Sequence, residues 1–357
     1  MIITPRFTPG FDANFGVNAA AARAAWITAA KVFTDAFSDP IHINITVDAL
    51  TNPKVFGRSF PNFLSITYAD LHNRVSAYAS TQNDAVAISP GGSMSAADPT
   101  NGQGTWQLTR PQAKALGFIP DDLSDDGGTT FGVNNPFTFS GAIAPKTFDF
   151  QGIAAHEIAE VLGRLGLSGG NNRFSLIDNF SYTGPGMKAL SGGAGNFFSI
   201  DNGVTLLKAF NNSSANHLDT RDWADGSNDS FNQFSNPGVV NAVTAVDLQL
   251  MDVIGYGRVN PIGSLIETVG HVAFLRAHEL GGGFGLAPNF LDCEVIVQLA
   301  EEPLRSFGFK LRADANQPAR TEMFDLLRSS FVAHRPVRLD YQTTGPRAGE
   351  IIRIANP

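Results

Sequence analysis

The chain has 357 residues, 43% of them apolar, enough for one large core or two smaller ones. Its net charge of −8 lies entirely before residue 258, because the last 100 residues balance 11 basic against 11 acidic side chains. An acidic chain without clustered lysine and arginine excludes a nucleic-acid binder; no apolar run is long enough to span a membrane, and the single cysteine, Cys293, excludes an internal disulfide.

The opening MIITPRFTPGFDANFG lacks the basic-then-apolar layout of a signal peptide. Residues 18–37 are Ala-rich, with Trp26, Ala29, Ala30, Phe33 and Phe37 on one helical stripe. A strand follows, in which Ile41, Ile43, Ile45 and Val47 alternate with His42, Asn44, Thr46 and Asp48. Residues 68–78 read as a helix, 105–110 as a strand, and Pro111 opens a short helix. The acidic stretch 121–128 reads as solvated loop. Residues 129–139, with Thr130, Phe131, Gly132 and Val133 at their start, read as a strand that Asn134, Asn135 and Pro136 interrupt; a proline there suits a sheet edge.

Residues 151–166, QGIAAHEIAEVLGRLG, have the strongest helical pattern in the chain. A Gly- and Asn-rich region extends to about residue 240. Regular structure resumes with TAVDLQLMDVIGY at 244–256, where Thr244 can cap a helix with Asp247 in its first turn. After Gly257, alternation at Cys293, Val295, Val297 and Leu299 and at Phe307, Phe309 and Leu311 gives strands. A helix with Met323, Leu327 and Phe331 on one face follows Pro318. Alternation returns at Val337, Leu339 and Tyr341 and within 350–354. Strands, helix and strands within about 95 residues make a small β-barrel with one helix.

The chemistry concentrates in Ala155-His156-Glu157-Ile158-Ala159-Glu160. Residues four apart share a helix face, so His156 and Glu160 can grip one ion, and both supply ordinary zinc-ligand atoms. Glu157 adjoins the first ligand and can reach a metal-bound water as general base. Glu160 and Arg164 also have the spacing of a helical ion pair.

The segment HEIAEVLGR resembles the active helix of zincin metalloproteases, and among them the metzincin-like group, in a form where HExxH is written HExxE. The likeness covers residues 1–257: strand–helix–strand opening, edge strand, helix with Gly163 seven residues after His156, and closing helix. It implies zinc held by His156 and Glu160, Glu157 as general base, a polypeptide substrate added along the edge strand at Thr130, Phe131, Gly132 and Val133, and secretion. Gly166 stands where metzincins place a third histidine, and no methionine lies between Met187 and Met251. The third ligand therefore comes from elsewhere: Asp178 is the nearest acidic candidate, with His217 and Asp222 as alternatives.

Residues 262–357 resemble, in layout, the B subunit of cholera-type enterotoxins. That likeness implies an OB-type barrel, a homo-oligomeric ring and a glycan or cell-surface partner. The expected fold is thus α/β (α+β): a zincin-like domain with a twisted mixed sheet and an active-site helix over 1–257, then a small OB-like β-barrel with one helix over 262–357. The expected function is zinc-dependent endopeptidase activity with an appended binding or oligomerising module. The alternative is a toxin-like or lectin-like binding protein whose protease-like domain is inactive.

Overall fold

The computed structural model describes residues 1–211, 220–224, 226–258, 266–286, 289–313, 316–345 and 347–357. The chain divides into two compact units, Met1–Ala77 with Gln82–Val259, and Tyr78–Thr81 with Asn260–Pro357. The fold is mixed α/β, with a closed five-stranded β-barrel in the second unit.

In the first unit, β1 (Ile2–Phe7) leads through α1 (Pro9–Phe15) and α2 (Ala19–Ala36) to β2 (His42–Leu50). β1 and β2 are parallel, which requires such a crossover. The helical stripe of α2 is buried throughout: Trp26, Ala29, Ala30 and Phe33, with Phe37 capping it. In β2 and just before it, Ile41, Ile43, Ile45 and Val47 are all buried, as the alternation requires. Then come β3 (Gly57–Pro61), β4 (Phe63–Ile66), α3 (Tyr68–Tyr78), α4 (Gln82–Ala87), β5 (Thr105–Thr109), α5 (Arg110–Ala115) and β6 (Asp125–Gly132). The main sheet has the order β1-β2-β6-β3, with β6 parallel to β2 and β3 antiparallel to β6.

This order corrects the expectation for Thr130, Phe131, Gly132 and Val133. The first three lie in β6, an interior strand hydrogen-bonded on both sides, and Val133 directly follows it. The edge is β3, whose GRSFP sequence offers no hydrophobic alternation to read. The 121–128 stretch is also less loop-like than expected. Asp125 and Asp126 begin β6, and Asp126 is buried against Lys114 at 2.8 Å and Arg110 at 3.1 Å. Asp122 pairs with Arg110, and Asp121 with His42. Asp122 and Asp126 are thus paired with cationic side chains.

Next are β7 (Phe137–Thr138), β8 (Phe148–Asp149) and α6 (Phe150–Val161). Asp149 caps α6 by accepting from the Gln151 amide, and its other oxygen accepts from the Asn241 amide. α6 packs on β3, β6 and α2, burying Ile153, Ala154, Ala155, Ile158 and Ala159. It ends sooner than its pattern suggests, because Gly163 takes φ +108° and turns the chain. β9 (Arg173–Ser175) joins β4 and β5 in a second sheet. A third sheet holds β10 (Ser181–Gly184), β11 (Met187–Lys188), β12 (Phe197–Phe198) and β13 (Lys208–Ala209). α7 (Ala245–Val253) closes the unit, capped by Thr244 and Asp247 as expected.

The second unit contains β14 (Ile266–Ala277), β15 (Val295–Leu299), β16 (Ser306–Phe309), α8 (Gln317–Ala333), β17 (Pro336–Gly345) and β18 (Ala348–Ala355). The barrel closes in the order β14-β15-β16-β18-β17, with β16 and β18 parallel and the helix inserted before β17. Val295, Val297, Leu299, Phe307, Leu327, Val337 and Leu339 fill it. Phe331, expected on the buried stripe of α8, lies at the solvent side. Phe307 packs edge-on against Tyr341 at 4.8 Å. Phe307→Ala should cost about 3–5 kcal/mol in urea unfolding of this unit, the usual range for an emptied aromatic core site. A loss below about 1 kcal/mol would show that the barrel interior is not close-packed.

Candidate metal centre

α6 presents His156, Glu157 and Glu160 from inside the first unit. His156, Glu160 and Asp222 each bring one ligand atom to a common point, all three atoms within 4.8 Å of one another. His156 Nε2 lies 3.4 Å from Glu160 Oε1 and 3.6 Å from Asp222 Oδ1. A tetrahedral zinc with bonds of about 2.0–2.1 Å sets its ligand atoms roughly 3.3–3.4 Å apart, so these two separations need little adjustment.

The imidazole is oriented from behind. Its Nδ1 lies 2.9 Å from the Ser230 carbonyl oxygen, which can only accept, so Nδ1 carries a proton and Nε2 faces the carboxylates. Ser230 is itself fixed, its hydroxyl donating to the Gly152 carbonyl and its amide to that of Ala242. Burial and the charge of Arg164 disfavour the imidazolium, but Asp222 and Glu160 outweigh them and push His156 up to about 10. A metal ion held there would have to take the place of that proton. Burial raises Glu160, but His156 and Arg164 prevail and bring it down to about 2. Burial, reinforced by the charge of Glu160, holds Glu157 well above the usual carboxylate range.

Two elements remote in sequence complete the site. The first is β3. A Cβ at Gly57 would stand 2.3 Å from Glu157 Oε1, so glycine lets the carboxylate lie against the sheet edge. Two residues on, the Ser59 hydroxyl hydrogen-bonds Glu160. The second is the segment around Asp222. Arg164 donates to Asp222 Oδ1 at 2.6 Å and to Glu160 Oε1 at 3.3 Å, and lies 4.6 Å from the Phe231 ring centroid.

Asp178, expected as the third ligand, is not in the cluster. One of its oxygens accepts from the Leu167, Ser168 and Ser175 amides, and the other from Arg221 Nε at 2.8 Å. Its carboxylate therefore acts as an anchor. It fixes the chain leaving α6 and holds Arg221, next to Asp222. The Arg221 guanidinium also donates to the carbonyls of Ala189 and Leu190. Gly166 fits the same arrangement, since a Cβ there would stand 2.1 Å from Arg221 Cγ. Asp222, held as an alternative, takes the place expected of Asp178. His217 lies outside the described residues.

Beside the cluster is a cavity of about 220 Å³, lined by Phe56, Phe148, Ile153, His156, Phe234 and three uncharged polar residues. Comparison of the chain with protein-family models, curated proteins and solved structures returned no match.

The two aspartates separate experimentally. Asp222→Asn keeps an acceptor for Arg164, which also retains Glu160, so it should weaken divalent-metal binding by about a hundredfold or more with a smaller loss of stability than removal of Asp178. Asp178→Ala should instead cost about 3–5 kcal/mol of stability by orphaning buried Arg221. Metal titration and urea unfolding of both variants check this, and a reversed pattern would restore Asp178 as the ligand.

Proposed function

We propose that the first unit is a zincin-like domain that hydrolyses peptide bonds, with zinc held by His156, Glu160 and Asp222 and with Glu157 as general base. The convergence of three donor atoms within 4.8 Å of one another, the two separations from His156 Nε2 being near-tetrahedral, with a further carboxylate on the adjacent helical residue, carries this reading. When bound, zinc supplies Lewis-acid polarisation of the scissile carbonyl and acidification of a water molecule. Glu157 then takes the proton from the attacking water and returns it to the leaving amine. Burial and the charge of Glu160 raise its carboxyl well above the usual carboxylate range, and a cation in the cluster would favour the ionised form.

The reading assigns the neighbouring surfaces as well. The free side of β3 offers main-chain groups to an extended polypeptide, which would lie directly over Glu157. The adjoining cavity, walled by phenylalanines, suits a bulky uncharged side chain of that polypeptide. The barrel, with its parallel pairing of third and fifth strands and its inserted helix, supports an OB-like module. Glycan binding or ring formation by that module, and export of the chain, belong to the same proposal.

One observation favours a second reading. Arg164 already pairs with both carboxylates, so the cluster is also a satisfied ion network of the kind a metal-free binding protein could keep. Metal content decides: the enzyme reading expects one zinc per chain after reloading from a chelator, and the binding-protein reading expects none.

Two variants test the catalytic assignment. Glu157→Gln should retain zinc and lose about a hundredfold or more in peptide hydrolysis, the scale of general-base catalysis. Full activity in that variant would remove Glu157 from the mechanism. Gly57→Ala pushes a methyl group into the Glu157 carboxylate. It should leave zinc binding intact and lower kcat by about 10–100-fold, as expected for a small misplacement of a reacting group. Unchanged kcat would show that Glu157 has no fixed position to lose.

A further inference from the structure

We infer that Arg164 is the built-in counter-cation of the His156–Glu160–Asp222 cluster: it holds the two carboxylates together when no metal is bound, and it weakens the site's grip on the ion when one is. The inference rests on the metal reading above and concerns a residue that reading leaves without a role.

The geometry is specific. Arg164 approaches the same two oxygen atoms that face His156 Nε2, namely Glu160 Oε1 and Asp222 Oδ1. Its side chain is fully buried, so solvent does not screen these contacts. It lies just past the end of α6, where the left-handed turn at Gly163 brings residue 164 back toward Glu160. A Cβ at Gly163 would stand 2.1 Å from the Gln112 side chain, so both conformation and space select glycine there. The face of Phe231 covers the guanidinium from one side.

Electrostatics gives this placement a consequence. Two buried carboxylates without a cation repel one another and are costly to desolvate. In the metal-free cluster the His156 imidazolium offsets one carboxylate and Arg164 the other; with the imidazole neutral, as a metal ligand must be, the two carboxylates and the guanidinium together carry a single negative charge. That equals the charge of a site built from two histidines and one carboxylate. The cluster can then fold before any metal arrives. The same positive charge repels an incoming divalent ion, so it lowers affinity. Without it, the metal-free state would be strained and the loaded state relieved, and this difference is by linkage an increase in metal affinity.

The test compares the wild type with Arg164→Met, Arg164→Lys and the double variant Arg164→Met/Asp222→Asn. Each is prepared metal-free and titrated with zinc chloride against a chromogenic chelator, with thermal unfolding measured in parallel. Arg164→Met should unfold at a lower temperature than wild type when metal-free. It should gain more on adding zinc, and should bind zinc about tenfold tighter or more. Arg164→Lys keeps a cation and should bind zinc within a few-fold of wild type. In the metal-free double variant one carboxylate charge is removed with the arginine, so its unfolding temperature should rise above that of Arg164→Met. That rescue reads charge compensation even if Arg164→Met is too unstable to titrate, because a packing role would not be repaired by a second deletion. Weaker or unchanged zinc binding in a folded Arg164→Met, or no rescue in the double variant, would overturn the inference and leave Arg164 as an orienting or packing residue. Absence of zinc binding in the wild type would overturn the metal reading and this inference together, and that result is visible before any variant is made.

Discussion

Buried charge must be paired, and this constraint organises the first unit. α6 carries His156, Glu157 and Glu160 on a helix packed into the core, with both glutamates buried and His156 only partly exposed at the adjoining cavity. Their neighbours lie partly one helical turn away and partly on segments far away in sequence. Glu160 meets Arg164, His156 and Ser59; His156 meets the Ser230 carbonyl; Glu157 lies against Gly57. The long irregular stretch after α6 is shaped by these demands. It has few regular elements of its own, yet it supplies Asp222, Ser230 and Phe231.

A second buried ion pair holds the first in place. Asp178 and Arg221 are both buried and lie 2.8 Å apart. Asp178 also gathers amides from Leu167 and Ser168, which follow Arg164. One carboxylate thus ties together the exit of α6 and the segment presenting Asp222. The adjoining Trp223 stacks on Phe210 and donates to Asp247 at 2.6 Å, anchoring that segment to α7 as well. Asp222 is therefore fixed from both neighbours along the chain, and its carboxylate needs no freedom to reach the cluster. A metal-binding geometry that must be correct to a few tenths of an ångström requires this kind of backing.

The sequence carried the local part of this design and hid the remote part. The stripe of α2, the alternation of β2, the capping of α7 and the strand–helix–strand order of the barrel follow from periodicity and cap chemistry, and the structure has them. His156 and Glu160 could be paired because helical geometry fixes residues four apart. Asp178 was favoured over Asp222 on distance along the chain, which carries no weight once a loop of such length folds back. The one available signal is Trp223 directly after Arg221-Asp222, a large apolar side chain that draws the adjoining charges toward the core. β3 escaped notice because its inward positions, Gly57, Ser59 and Pro61, are small. They are small because α6 comes close, and that approach cannot be seen in a five-residue window.

The three glycines near the centre show how tightly the remote parts are fitted. Gly57 leaves room for Glu157, Gly163 for Gln112, and Gly166 for Arg221. In each case the neighbour is a buried polar side chain with a role in or behind the cluster. Gln112 Nε2 donates to the Ile254 carbonyl at the end of α7 while its oxygen accepts from the Thr109 amide. The turn at Gly163 is thereby braced by α5 and α7 together. A substitution at any of the three would displace a charged or hydrogen-bonded group that has no other place to go in the core. Gly166 therefore has a packing role of its own. It is small because Arg221 crosses there, and Arg221 crosses there because Asp178 holds it beside Asp222. The packing at residue 166 thus ties the exit of α6 to the distant segment that carries Asp222.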